Sequence, residues 1–218
     1  MKADGGGDVE RSRGLHGLLR QPVVYELFQR AVGSLAVRRE IIERHLRPTP
    51  GDRLLDIGCG PADILASLAQ VEYVGFDPSP DYIASARQRY GDRGRFLVAT
   101  VEDAAGTDLG LFDVVLAKGV LHHVENDEAE RVFALAHRVL RPGGRLVTLD
   151  PCWTPEQSVA ARLVISQDRG RNIRSLDAYR ALAQRCFADV TPHVRHDLLR
   201  IPYTHLFLEC VRSERSAA

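Results

Sequence analysis

Residues Leu54–Asp63 read LLDIGCGPAD, an apolar run that breaks into a glycine turn. The pattern predicts a buried strand that ends near Asp56, followed by a turn in which Gly58 and Gly60 leave the backbone bare. Pro61 is compatible with the start of a helix, because a backbone N–H in the first helical turn has no partner in any case. Such a strand, turn and helix can hold a polar ligand against main-chain amides.

The chain beyond this turn alternates between short apolar strands and helical patterns. Nearly continuous apolar strands separated by helices are typical of a parallel sheet that is covered on both faces. Two later strand-like runs, Val190–Leu199 and His205–Val211, flank a short turn and predict an antiparallel hairpin. We therefore predict an α/β fold with a doubly wound sheet. Its first five strands are predicted at Leu54–Ile57, Glu72–Asp77, Arg95–Ala99, Phe112–Ala117 and Arg145–Leu149.

A length of 218 residues fits one α/β domain. Residues 1–13 are rich in Gly and Asp, and we predict that they form a disordered tail. The remaining residues, 14–218, are expected to form a single domain that begins with two helices meeting near Gly33 and Ser34. An irregular insertion is expected at about 151–175, before a helix from Leu176 to Phe187.

The composition limits the partners and the compartment. Lys and Arg number 29, as do Asp and Glu, and this balance disfavours binding to nucleic acid or to an anionic membrane. The four cysteines lack paired spacing, which argues against a zinc site or a disulfide framework, so no metal is expected. No apolar run suits a bilayer span or a signal peptide. We expect a cytoplasmic protein, with a monomer and a homodimer equally compatible.

The acidic residues around the glycine turn indicate the kind of ligand. Asp77 is the last residue of the second predicted strand, about 20 residues after the turn. A carboxylate at this position can accept hydrogen bonds from both hydroxyls of a ribose. A dinucleotide fingerprint would have a third glycine where this chain has Asp63, and that carboxylate would repel a pyrophosphate. Asp56 suits an ammonium group instead. An adenosine joined to a cationic amino acid is therefore favoured over NAD, although a nucleotide-dependent oxidoreductase remains the rival.

In combination these segments resemble the class I S-adenosylmethionine-dependent methyltransferases of the small-molecule type, over about Leu54–Asp150. Further matching segments are FDVVLAKGVLHHV at Phe112–Val124 and LRPGGRLVTLDP at Leu140–Pro151. The resemblance implies a seven-stranded sheet of order 3-2-1-4-5-7-6 with strand 7 antiparallel, helices on both faces, and S-adenosyl-L-methionine as the cofactor. Ala62 is a mild departure from the glycine turn of the family.

The resemblance also implies roles for residues along the strand ends. Asp56 and the glycine turn would surround the methionine part, Asp77 the ribose, and the acidic pair after the third strand the adenine edge. The implied cofactor-binding residues are Asp56, Gly58, Cys59, Gly60, Asp77, Pro78, Glu102, Asp103, Ala117 and Lys118.

The candidate catalytic residues are His122, His123 and Tyr203. The two histidines follow the fourth strand at the mouth of the predicted site, where either could take a proton from a hydroxyl acceptor near neutral pH. Alternatively, one of them packs or caps while the other contacts the cofactor. Tyr203 and His205 lie in the predicted hairpin turn and could project over the pocket, or they could simply pack with one polar end in water.

The candidate acceptor-binding residues are Tyr25, Arg169, Arg171, Arg174 and His205. The three arginines lie close together and could clamp a carboxylate or phosphate, or they could be solvated loop cations. Tyr25 is either a lid over the cofactor or part of a helix core. The lead hypothesis is in-line transfer of a methyl group to O or N of a small anionic acceptor. The alternatives are attack at another sulfonium carbon, such as cyclisation of the aminocarboxypropyl arm, and a non-catalytic protein that binds S-adenosylmethionine.

Overall fold

The computed structural model describes residues 34–168 and 170–214. In these residues seven strands form one sheet in the order β3-β2-β1-β4-β5-β7-β6. The first five strands pair in parallel, and β7 runs antiparallel to both β5 and β6. The predicted fold class, strand order and terminal hairpin are thus confirmed. The strands are β1 Arg53–Ile57, β2 Glu72–Asp77, β3 Gly94–Val98, β4 Phe112–Lys118, β5 Leu140–Pro151, β6 Asp189–Arg195 and β7 His205–Val211.

Helices cover both faces of this sheet because successive strand residues point to opposite sides. Leu55 and Val115 belong to one buried apolar cluster, whereas their neighbours Leu54 and Val114 belong to a second one. A π-helix, Ile41–Leu46, continues the first described helix and packs into the second cluster. The α-helices are α1 Ser34–Glu40, α2 Pro80–Tyr90, α3 Val101–Ala105, α4 Asn126–Val139, α5 Val159–Ser166 and α6 Leu176–Gln184.

The structure corrects three local predictions. The helix predicted to start at Pro61 is wrong, because Ala62 adopts the left-handed conformation and only a short 3₁₀ turn, Asp63–Ser67, follows it. The stretch predicted to be irregular contains α5, whose first turn is capped by Ser158 accepting from the Ala161 amide. The connection between β6 and β7 spans 196–204 and is longer than predicted.

Several predictions fall on residues 1–33, which lie outside the described part of the chain together with Arg169 and residues 215–218. They include the N-terminal tail, the first N-terminal helix and Tyr25. Within residues 34–168 and 170–214, no helix has both the length and the apolar character that a bilayer crossing requires.

Candidate functional site

The glycine turn after β1 contacts the loop after β4. Gly58 and Gly60 have positive φ angles of 66° and 53°, which residues other than glycine rarely adopt. A Cβ atom added to Gly58 would lie only 2.7 Å from Cγ2 of Val120, while one added to Gly60 would meet no atom within 4 Å. The turn is therefore closed on the Val120 side and open beside Gly60, where a ligand can approach the backbone.

Asp77, at the end of β2, holds the glycine turn in place. One of its carboxylate oxygens accepts from the Gly60 amide at 3.0 Å, and the other accepts from the Ser79 amide at 2.9 Å. Each oxygen keeps a second lone pair, so the buried carboxylate can still accept two further hydrogen bonds. Cys59 donates its amide to Phe76 at 3.0 Å, and Pro78 is exposed next to Asp77. This arrangement suits the paired hydroxyls of a ribose.

Asp56 lies almost fully buried beneath the turn. The hydroxyl of Tyr73 donates to its Oδ2 at 2.6 Å. Burial raises the pKa of Asp56 to about 7, although the hydrogen bond from Tyr73 and the positive charge of Lys118 both act to lower it. The carboxyl group can thus change its charge near neutral pH, which is unusual for an aspartate.

Lys118 is the last residue of β4, and its charge interacts with that of Asp56. Its side chain is solvent-exposed, yet desolvation by the surrounding protein lowers its pKa, against the opposing effect of Asp56 and Asp63. Ala117, its neighbour, is buried in the sheet between Ile57 and Thr148 and so brings no polar group to the site.

The pKa of Asp56 gives a testable pH dependence. Because the carboxyl is mostly protonated below about pH 7 and a ligand ammonium needs the carboxylate, we expect the Kd of S-adenosylhomocysteine to fall by about fivefold between pH 6 and 7, by about twofold more up to pH 8, and to level off above that. Calorimetry across this range measures the Kd, and Asp56→Asn should remove the dependence. A flat profile in the parent chain would contradict an Asp56 contact with the ligand. Folding has the opposite sign, since a raised carboxyl pKa contributes stability that is lost as the pH rises through 7.

The two acidic residues that follow β3, Glu102 and Asp103, differ in their contacts. Asp103 forms a capping box at the start of α3: its Oδ2 accepts from the amide and hydroxyl of Thr100, whose hydroxyl accepts from the Asp103 amide. These hydrogen bonds from Thr100 lower the pKa of Asp103. Glu102 is exposed in the first turn of the same helix. The Glu102 side chain thus takes no part in the capping box, unlike that of Asp103.

His122 is buried between two aspartates at the carboxyl ends of β4 and β5. Its Nδ1 lies 2.7 Å from Oδ1 of Asp150, and the same oxygen accepts from the His122 amide at 3.1 Å. On the other side of the ring, Nε2 lies 3.5 Å from Oδ1 of Asp168. The hydroxyl of Tyr203 donates to the second oxygen of Asp168 at 2.9 Å. The four side chains therefore form a continuous polar row.

A tight loop holds Asp168 against this histidine. The Gly170 amide donates to Asp168 at 2.9 Å, and the Asn172 amide donates to the carbonyl of His122 at 3.0 Å. A Cβ on Gly170 would lie 2.1 Å from Cδ2 of His122 and 2.8 Å from its carbonyl oxygen, so this approach requires glycine. The sequence prediction missed both aspartates. Asp150 could have been found as the acid that ends a strand at the predicted crevice, whereas no local pattern marks Asp168.

The remaining catalytic candidates lie around this row. His123 is exposed, its ring is 4.0 Å from that of His122 between centroids, and burial together with His122 lowers its pKa. The rings of Tyr203 and His205 are 4.7 Å apart. Burial lowers the pKa of His205 to about 4, with Lys118 contributing, so the ring is neutral at pH 7. The structure thus brings together both histidines, Tyr203 and His205 at one end of the sheet.

Of the three arginines predicted to clamp an anion, Arg174 makes hydrogen bonds within the protein. Four of the five N–H groups of Arg174 donate to the Asn126 side chain and to the carbonyl oxygens of Leu121, Val124 and Asn172. The Arg174 guanidinium therefore fastens the loop that carries His122. Arg171 is exposed, and Arg169 and Tyr25 lie outside the described residues.

Comparison with known proteins shows similarity to methyltransferases over part of the chain. A family model described as "Methyltransferase domain" matches residues 55–148. Phosphoethanolamine N-methyltransferase 1 of Arabidopsis thaliana is 27% identical over 187 residues, which cover 83% of this chain and 38% of that protein. The 27-O-demethylrifamycin SV methyltransferase of Amycolatopsis mediterranei is 36% identical over 146 residues, covering 60% of this chain and 52% of that protein. The chain thus spans about half or less of the length of these relatives.

A solved structure gives the same result for the fold. Phospholethanolamine N-methyltransferase 2 of Haemonchus contortus, in complex with phosphomonomethylethanolamine and S-adenosylhomocysteine, superposes with a TM-score of 0.67 at 18% identity. The match covers 91% of this chain and 59% of that one. The strand order is the one that the resemblance to the class I S-adenosylmethionine-dependent methyltransferases implied, and residues 55–148 match the methyltransferase-domain model.

Proposed function

We propose that this chain transfers the methyl group of S-adenosyl-L-methionine to an oxygen or nitrogen atom of a small acceptor. The observation that carries the proposal is the position of His122, a buried imidazole held by Asp150 on the loop that touches the glycine turn through Val120. A proton-accepting group therefore stands directly beside the cofactor crevice. The methyltransferase domain match and the relatives' names support the same reaction.

The residues of the crevice fit this cofactor. The open side of Gly60 leaves room for a ligand against the backbone, Asp77 offers two lone pairs to the ribose, and Glu102 can reach the adenine edge. Asp56 would pair with the ammonium and Lys118 with the carboxylate of the methionine part. When bound, the cofactor supplies a methyl group that its sulfonium already activates. The protein then has to align the acceptor and exclude water.

The row around His122 supplies the proton chemistry. Asp150 accepts from Nδ1 and so keeps the ring hydrogen on that atom, which leaves Nε2 as the acceptor of a proton. Asp168 occupies the place in front of Nε2, and Tyr203 holds it there. An acceptor hydroxyl or amine that displaces Asp168 from Nε2 would donate a hydrogen bond to Nε2, and the imidazole would take that proton as the acceptor atom bonds to the methyl group and the bond from sulfur to that methyl breaks. The loop around Gly170 then shields the reacting atoms from water.

The acceptor is proposed to carry an anionic group that Arg171 contacts. Arg171 belongs to the predicted clamp, and its side chain is exposed. Most N–H groups of Arg174, by contrast, donate to the loop that carries His122. The name of the Arabidopsis relative specifies phosphoethanolamine, an anionic amine, which supports this proposal. The balanced net charge is consistent with a small molecule in place of a nucleic acid.

The two described arginines are expected to respond differently to replacement. Arg171→Ala should raise the KM for an anionic acceptor by about tenfold at unchanged kcat, because it removes a charged contact. Arg174→Ala should instead lower the free energy of unfolding by about 2 kcal/mol, because it leaves several loop carbonyls without donors. Steady-state kinetics and urea unfolding measure the two effects. Arg180→Ala, at an exposed position of α6, is the control, and an unchanged KM in Arg171→Ala would remove Arg171 from acceptor binding.

A product analysis tests the reaction itself. The purified chain is incubated with S-adenosylmethionine and a panel of phosphorylated amines and phenols, and the products are examined by mass spectrometry. Methyl transfer yields S-adenosylhomocysteine and an acceptor heavier by one CH₂ group. Methylthioadenosine would instead indicate displacement at the aminocarboxypropyl arm, and cofactor binding without turnover on cell-extract acceptors would indicate a binding protein. Stabilisation by NAD but not by S-adenosylhomocysteine would overturn the cofactor assignment.

A further inference from the structure

A second polar cluster lies between the π-helix and the two terminal strands. It consists of His45 in the π-helix, His193 in β6 and Glu209 in β7. Because Glu209 pairs with Thr191 and Phe207 pairs with His193, the side chains of His193 and Glu209 lie on the same face of the sheet. Glu209 is four residues along β7 from His205, about 13 Å of extended strand, so this cluster is separate from the methyl-transfer site.

The ligand atoms of this cluster converge on one point. Nδ1 of His45 lies 2.8 Å from Oε1 of Glu209, and Nε2 of His193 lies 3.5 Å from the same oxygen. One ligand atom from each residue lies within 4.8 Å of those of the other two. Ligand atoms around a tetrahedral Zn²⁺ are about 3.4 Å apart, given bonds of about 2.0–2.1 Å. Small side-chain rotations therefore suffice to place a cation among the three.

The surroundings hold two of these ligands in position. The His45 ring is 96% buried and stacks on Phe207 with centroids 4.1 Å apart and an angle of 14°. Its Nε2 has no hydrogen-bond partner in the described residues, so Glu209 is the polar contact of this imidazole. The other oxygen of Glu209 accepts from Arg47 at 2.7 Å, an outer contact of the kind that orients metal-binding carboxylates.

The chemistry of the ligands selects the kind of ion. Two imidazoles and one carboxylate suit a borderline transition metal, whereas Ca²⁺ and Mg²⁺ prefer sites made of oxygen ligands. The side chain of His193 is 42% exposed, which leaves an entry path and a coordination position for water. We propose that His45, His193 and Glu209 bind a divalent transition metal of the Zn²⁺ type and so fasten the π-helix to strands β6 and β7.

Metal titration of the full chain tests this proposal. The protein is treated with a chelator, desalted, and titrated with Zn²⁺ by calorimetry and with Co²⁺ by visible absorption. We expect one saturable site per chain, an intense Co²⁺ band typical of tetrahedral coordination, and a Zn²⁺-dependent rise in Tm. His193→Gln should weaken Zn²⁺ binding by at least about 100-fold, since loss of an outer contact alone costs about 10- to 100-fold.

The variants are chosen so that misfolding does not decide the outcome. His193 is partly exposed, so His193→Gln should fold like the parent chain, as far-ultraviolet circular dichroism will verify. Glu209→Gln is the second test, and His137→Gln, a histidine on α4, is the control that should leave binding unchanged. Absence of saturable Zn²⁺ binding in the parent chain, or Zn²⁺ binding in both His193→Gln and Glu209→Gln that is as tight as in the parent chain, overturns the proposal. These readouts do not depend on methyl transfer.

Discussion

Asp77→Ala is expected to weaken the affinity for S-adenosylhomocysteine by about 100-fold or more. The carboxylate would lose two hydrogen bonds to the ribose hydroxyls, and each bond to a charged group contributes about 1.5–3 kcal/mol. The substitution also removes the acceptors of the Gly60 and Ser79 amides, so the glycine turn loses its anchor. Calorimetric titration with S-adenosylhomocysteine measures the change.

A matched variant separates ribose binding from support of the turn. Asp77→Asn keeps the size and one acceptor oxygen, so it should retain most of the stability while weakening binding by about tenfold. Urea unfolding of both variants reports the structural part. If Asp77→Ala bound S-adenosylhomocysteine as tightly as the parent chain, the ribose role of Asp77 would have to be abandoned.

The second large effect is expected at His122. His122→Gln should lower kcat by about 10²- to 10⁴-fold, the range that a positioned proton acceptor contributes, while the Kd of S-adenosylhomocysteine stays within about twofold. Glutamine can still accept a hydrogen bond but cannot take the acceptor's proton. Single-turnover kinetics with the acceptor found by product analysis gives the rate of the chemical step.

His123→Gln is the control for this experiment, because His123 is the exposed neighbour whose ring contacts that of His122 at a tilted angle. We expect its kcat to remain within about threefold of the parent value. Gly170→Ala is a second variant that tests this site, because a Cβ atom at position 170 would push the Asp168 loop away from His122. Equal losses in His122→Gln and His123→Gln would show that the base cannot be assigned to His122.

The fold could be predicted from the sequence because it depends on repeated local patterns. Apolar strands and helical spacing recur along the chain, and the turn in LLDIGCGPAD is confined to ten residues, so neither requires knowledge of distant contacts. The conformation of Ala62 was missed because a left-handed non-glycine residue follows from its surroundings. Asp63 was expected to repel an anion, yet it pairs with Arg89 from α2, a contact that spacing does not reveal.

The candidate site was predictable only where it follows the strand ends. Asp56 is the second-to-last residue of β1 and Asp77 is the last residue of β2, and the structure places both next to the glycine turn. Asp168 and His122 are 46 residues apart in sequence, and Arg174 is similarly far from Leu121 and Val124. Local patterns therefore did not reveal these contacts. The cluster of His45, His193 and Glu209 also joins distant residues, and the absence of paired cysteine spacing had suggested no metal.

The contacts of Arg174 affect how acceptor specificity can be engineered in this chain. The segment 151–175 invites exchange between relatives, because it lies outside the methyltransferase domain match. Arg174, however, donates to carbonyls on both sides of His122, so a transplanted segment without this arginine would also release the loop that carries His122. Productive chimeras should therefore keep Arg174, or exchange residues 119–126 and 151–175 together as one unit.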